Sequence, residues 1–293
     1  MEITPSEQKH LPALRELLPK GSAVYISHVP SATLAQVVKT AVAVQGAGFK
    51  ATPHIVARRI SYPETLRAAL AELTASGVKQ MLLVAGDTAH AAGEFDSTLD
   101  ILACGILERS GITSIGVAGY PEGQRGIGPM LLWNALKTKQ AFADRTGLAV
   151  HLVTQFGFNG NALRDWEPEL ARNDVRLPIH AGIAGPTPLS KLIKFAMRCG
   201  IGASLRTVMR NLSAVTGGAE LATTPDQHVL RLMQLSSSTR VVVPHFFSFG
   251  GALETAQWID RVIAGDFVVD SAEGRFLIGA ARAGSQPSGP PGS

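Results

Sequence analysis

The chain has 293 residues, 45% hydrophobic and 17% charged, with a formal net charge of +4. That composition excludes wholesale disorder and supports a large core, enough for one α/β barrel or two smaller domains. The basic residues are scattered and not blocked together with aromatics. This argues against a nucleic-acid partner and leaves a small anionic ligand as the kind the surface favours.

In chain order, strands are expected at Glu2–Thr4, Ala23–Ser27, Thr52–Ala57, Gln80–Val84, Ser114–Ala118, Ala149–Thr154, Pro178–Ile183 and Arg240–Pro244. Between them the apolar spacing predicts helices over Ser6–Leu18, Ala32–Gln45, Pro63–Ala75, Ser97–Arg109, Met130–Arg145, Ala162–Ala171 and Leu189–Arg198. The strands are continuous apolar runs, as in a parallel sheet covered on both faces. Strands alternating with helices in this number predict an α/β fold of the (β/α)8 TIM-barrel type, a single domain over residues 1–283. No G-x-G-x-x-G follows the first strand, which disfavours an open dinucleotide-binding sheet. Residues 201–238 are read as two or three helices, and the Gly/Ser/Pro-rich tail 284–293 as disordered.

The opening Met1-Glu2-Ile3-Thr4-Pro5 has no basic segment leading into an apolar run, so no signal peptide is read there. No apolar run reaches membrane-spanning length. Cys104 and Cys199 fall in helix-like apolar stretches, outside any CxxC or Cys/His cluster. They fit a reducing compartment, and a cytoplasmic protein without membrane contact is expected.

In a barrel, chemistry collects where strands end. Those ends carry Glu2 or Thr4, His28, His54 with Arg58 and Arg59, Asp87, Tyr120 with Glu122, Gln155 with Phe158, His180, and His245 with Phe247. Two carboxylates of different burial, Glu2 and Asp87, can hold separated pKa values, and a buried one can act as general acid. Gln155 offers a donor and an acceptor, which suits a fused nitrogen heterocycle. Each of these residues serves equally well as a cap or loop anchor when taken alone. The histidines match no metal-ligand spacing, and H-E-x-x-H, a P-loop and G-x-S-x-G are all missing. Gly250-Gly251, opening the last helix, can receive a phosphate or carboxylate at a helix N-terminus.

Several segments, in order, resemble the methylenetetrahydrofolate reductase family. Gly116–Gly123 matches its "GVAGYPEG", Leu83–Asp87 resembles "LRGD", and Thr154-Gln155-Phe156 matches the start of "TQFFF". Met1–Pro5 is similar to "FEFFPP", Thr52–Ile55 to "PHLT", Pro178–Ile183 to "PIIPGI" and His245–Phe247 to "HFYT". The resemblance implies hydride transfer from NADH or NADPH, through FAD, between 5,10-methylenetetrahydrofolate and 5-methyltetrahydrofolate. By it, Glu2 is the general acid that opens the folate ring, with Asp87 beside flavin and pterin. Gln155, Phe158 and Phe247 would contact the tetrahydrofolate substrate, while His54, Ala85, Gly86, Asp87, Tyr120, Glu122, Gln124 and Lys139 would line the cofactor site.

The chain also departs from that pattern. The family's Arg in "LRGD" is Ala85, the His after "GYPEG" is Gln124, and the following helix has Leu132 and Thr138 among its residues where the family shows an acidic and basic pattern. Lys137 and Lys139 remain as cations for a pyrophosphate. One lost charge-assisted bond weakens binding roughly tenfold to a hundredfold. Two alternatives therefore stand beside the flavin route: direct hydride transfer from nicotinamide to folate, and a folate-dependent methyltransferase barrel. A homo-oligomer is compatible with the sequence.

Overall fold

The computed structural model describes residues 1–157, 161–198, 222–235, 241–270 and 275–278. Eight parallel strands follow one another around a nearly closed (β/α)8 barrel. They are β1 (Glu2–Ile3), β2 (Ala23–Ile26), β3 (Lys50–Val56), β4 (Gln80–Val84), β5 (Ser114–Gly119), β6 (Ala149–Thr154), β7 (Ile179–Ala184) and β8 (Val241–Phe247). Between β8 and β1 side chains make the junction. His245 Nε2 donates to Glu2 Oε1 at 2.9 Å, and Ala252 N donates to Glu7 Oε1 at 3.0 Å.

Alternate strand residues point outward, where Ile3, Ile26, Ile55, Leu83, Ile115 and Leu152 are fully buried under the helices. The helices are α1 (Leu11–Leu17), α2 (Leu34–Gly46), α3 (Pro63–Ala75), α4 (Thr98–Ala103), α5 (Pro129–Thr146), α6 (Ala162–Arg172), α7 (Leu189–Arg198), α8 (Asp226–Leu235) and α9 (Ala252–Ile263). Their starts are written locally. At α2, Gln36 N donates to Thr33 Oγ1 (3.2 Å) and Thr33 N to Gln36 Oε1 (2.8 Å), a reciprocal cap. Pro63 opens α3, where its missing N–H costs nothing.

Two expected helices are shorter than their apolar patterns. The segment Ser6–Leu18 divides into a 3-10 turn, Pro5–His10, and α1, because Pro12 cannot continue a hydrogen-bond ladder from the preceding turn. The segment Ser97–Arg109 stops at Ala103, resumes as a single 3-10 turn at Leu107–Arg109, and turns at Gly105 with φ +70°. Cys104 falls in that break and is only half-buried. The anion expected at the Gly250-Gly251 helix start is the protein's own Glu7, bonded to Ala252 N. Phe158, Cys199, most of 201–238 and the tail 284–293 lie outside the described residues. Among the described residues, no helix is long and apolar enough to cross a membrane.

Candidate active site

Because β1 buries Ile3 outward, its neighbour Glu2 turns into the barrel. Both carboxyl oxygens are engaged there. Ser27 Oγ donates to Oε2 at 2.7 Å, and His245 Nε2 donates to Oε1 at 2.9 Å. His54 Nε2 lies 3.4 Å from the same Oε1 but is not aligned for a hydrogen bond. Burial alone would raise the Glu2 pKa. The charge of His54 and the hydrogen bond from His245 outweigh it and hold the carboxyl below its ordinary range. The raised pKa expected of a general acid is therefore not found in the free protein, because two imidazoles face the carboxyl. Burial lowers the His245 pKa, against the opposing pull of Glu2. Together the directions describe an ionised carboxylate accepting an N–H from a neutral imidazole.

Beneath this pair the barrel interior is polar where aliphatic layers are usual. Tyr25 OH lies 3.3 Å from both His151 Nε2 and His180 Nδ1, and those two rings stack at 4.0 Å. Burial lowers the His151 pKa to about 4, with His245 adding to it. Burial, then His151, lowers His180 to about 3. His180 is the second residue of β7, not its end, so it belongs to this layer and not to the mouth. Gly116 makes room for the layer: a Cβ there would sit 2.9 Å from Leu82 Cδ1 and 3.0 Å from His151 Nε2.

Above Glu2 opens a cavity of ≈ 700 Å³ that brings together Glu2, His54, Ala85, Gly86, Asp87, Tyr120, Gln124, Gln155 and Phe247. Its walls are the carboxyl ends of the strands. Gly86 turns the chain out of β4 with φ +104°, and a Cβ would meet Val56 Cγ1 at 2.6 Å. Asp87 follows at the rim, its side chain 47% exposed and 3.4 Å from Arg59 Nη2. Arg59 also donates to the carbonyls of His28 and Val29. Phe247 packs on Phe156 and His245, and Gly182 clears space for it, since a Cβ there would lie 2.8 Å from Phe247 Cε2.

A neighbouring cavity of ≈ 920 Å³ shares Ala85, Ala118, Tyr120, Gln124 and Arg125 with the first, and contains Glu122 and Lys139. Lys139 is 5% exposed and donates from Nζ to Ala118 O at 2.9 Å; burial lowers its pKa to about 8. Both carboxyl oxygens of Glu122 are buried without a hydrogen-bond partner among the described residues, close against Gly157. Among the described residues, no group of three or more His, Cys, Asp or Glu is placed to hold a metal ion.

A family model described as methylenetetrahydrofolate reductase matches residues 14–217 of this chain. The chain belongs to the methylenetetrahydrofolate reductase family. It is also similar to two solved structures from Burkholderia cenocepacia. One is a proposed phosphonomutase from strain J2315, with 13% identity over 71% of this chain and 97% of that one, at a TM-score of 0.40. The other is a dihydropteroate synthase, with 16% identity over 90% of this chain and 91% of that one, at a TM-score of 0.42.

Methylenetetrahydrofolate reductases are generally flavin-linked, and the second cavity is the candidate berth for FAD. Its described side chains supply little positive charge for the diphosphate. Ala85 supplies no charge, Lys139 is turned inward onto Ala118, and Arg59 is held by two carbonyls and Asp87. Leu131, Leu132, Trp133, Leu136 and Trp166 make much of the wall, and Arg125 is the remaining cation among the described lining residues. A buried diphosphate needs paired charges or clustered N–H donors.

Residue-by-residue reading of the sequence missed Ser27, Tyr25 and His151. The legible signal for the last two was a polar ring interrupting a buried strand, in Ala23-Val24-Tyr25-Ile26 and Ala149-Val150-His151-Leu152. Ser27 left no signal, since a serine just past a strand is ordinary loop chemistry.

Proposed function

We propose that this chain is a cytoplasmic methylenetetrahydrofolate reductase, one barrel domain over residues 1–283, that exchanges hydride directly between NADH or NADPH and the folate. The observation that carries the reading is the gathering of Glu2, Asp87, Gln155 and Phe247 around one cavity of ≈ 700 Å³ in a member of this family. With its neighbour that cavity has room for a pterin and a nicotinamide face to face. A dissociating dinucleotide needs only modest affinity, so its diphosphate can lie at the open rim near Arg125. A resident flavin needs a cradle, and the described wall offers little of one.

In this reading Gln155 pairs with the pterin edge, Phe247 covers its face, and Asp87 accepts from it at the rim. Reduction joins the C4 hydride of the nicotinamide to the methylene carbon of the N5 iminium, after a proton reaches N10 and the bridge opens. Glu2 supplies that proton, and in the oxidative direction it takes the proton back as the ring closes. A methyltransferase would need an acceptor site such as a zinc thiolate cluster, and Cys104 stands apart from any such group among the described residues. The test is the visible spectrum of the purified protein together with NAD(P)H consumption. A colourless protein that consumes NAD(P)H only when methylenetetrahydrofolate is present supports direct transfer. Flavin bands that bleach with NAD(P)H refute it.

A further inference from the structure

Two imidazoles address one oxygen of Glu2, and they differ in access. His245 is sealed, with a side chain 1% exposed, its Nε2 bonded to Oε1, and its ring edge-on to Tyr25 at 4.4 Å. His54 reaches the same oxygen from β3 and lines the ≈ 700 Å³ cavity. Its Nε2 is buried, without a hydrogen bond, and 3.4 Å from Oε1, so a small rotation of either group completes the bond. That contact is longer than a full hydrogen bond, which leaves the ring nitrogen poised on the carboxylate. Ser27 fixes the other carboxyl oxygen, so Glu2 cannot swing away to find a proton elsewhere.

We propose that His54 is the proton relay of this site, carrying the proton between cavity water and Glu2 Oε1, while His245 and Ser27 hold the carboxylate still. The proposal rests on the folate reading above. In reduction, protonated His54 gives its Nε2 proton to Oε1. Glu2 passes that proton to N10 as the bond from N10 to the methylene carbon breaks, and His54 takes a replacement from water. Oxidation runs the same transfers backward, with no further reactant. The titratable groups facing Glu2 are Tyr25, His54, His245 and the amino group of Met1. His151 and His180 stand behind Tyr25, and His28 and Arg59 lie on the loops.

Two measurements test this. His54→Asn keeps the size and polarity but cannot shuttle a proton. Its turnover is expected to fall tenfold or more with folate affinity by calorimetry unchanged, and added imidazole is expected to restore His54→Ala. A wild-type rate and pH profile in His54→Asn, or a loss of rate matched by an equal loss of affinity without rescue, overturns the relay. The second measurement needs no folate: the side-chain carbon of Glu2 is titrated by NMR in the free protein. His54→Asn is expected to change Glu2's proton affinity tenfold or more. An unchanged titration overturns the relay even if folate turns over. A changed titration in a protein inert to folate supports the coupling of the two groups and sinks only the functional reading.

Discussion

Replacing Glu2 by Gln keeps the shape of the side chain and removes its charge and its proton. The carboxylate accepts from Ser27 at 2.7 Å and from His245 at 2.9 Å. Gln retains one acceptor oxygen, and its amide can donate to His245 in the other tautomer, so the barrel junction survives. Two charge-assisted bonds become neutral ones, a loss of about 1 kcal/mol each at most. The thermal midpoint is therefore expected to move by only a few degrees. Turnover is different, because in this reading Glu2 is the group that hands the proton to N10. Loss of a general acid lowers rate by about 10² to 10⁴, or roughly 3 to 5.5 kcal/mol on the barrier. The assay is methylenetetrahydrofolate-dependent NAD(P)H oxidation, with circular dichroism melting as the control for folding. A Glu2→Gln enzyme within tenfold of wild type would refute the assignment, and an unfolded variant would refute the small shift in midpoint.

Three further outcomes are expected. His28, His151 and His180 have pKa values lowered, chiefly by burial, to about 4, 4 and 3 from 6.5, so the unfolded chain binds more protons than the fold below pH 6.5. The contribution of these three histidines is thus full above 6.5 and lost as pH falls toward 3, with Glu2 adding its own loss below its ordinary value of 4.5. Melting curves across that range check the trend, and His180→Gln should make it shallower. Gly182→Ala would drive a Cβ against Thr154 O and to 2.8 Å from Phe247 Cε2, which is expected to cost about 1–3 kcal/mol by chemical denaturation. An unchanged midpoint would mean that β7 and Phe247 yield more easily than their packing indicates. Ala85→Arg is expected to tighten FAD binding about tenfold or more, read by quenching of flavin fluorescence. No gain would show that position 85 does not face the diphosphate.

The fold was legible because it is carried by repetition: apolar strands and capped helices recur in order, and local rules such as Thr33 with Gln36 set their starts. What escaped was non-local. Neither His151 nor Tyr25 ends a strand, and only closure of the barrel brings them together from β6 and β2. The residues assigned by resemblance to the cofactor and substrate sites line one cavity, apart from Glu122 and Lys139 in its neighbour and Phe158 outside the described residues. The lowered pKa of Glu2 was illegible for a related reason. Burial was readable from the strand, whereas the imidazoles that outweigh it come from β3 and β8.

The most direct test of the central claim follows a label. NAD(P)H carrying deuterium at the transferred C4 position is oxidised with methylenetetrahydrofolate in ordinary water, and the methyl group of the product is examined by mass spectrometry. Direct transfer predicts one deuterium per methyl group, undiluted by solvent. A flavin intermediary exchanges its hydride with water, so a methyl group depleted of deuterium would contradict the account.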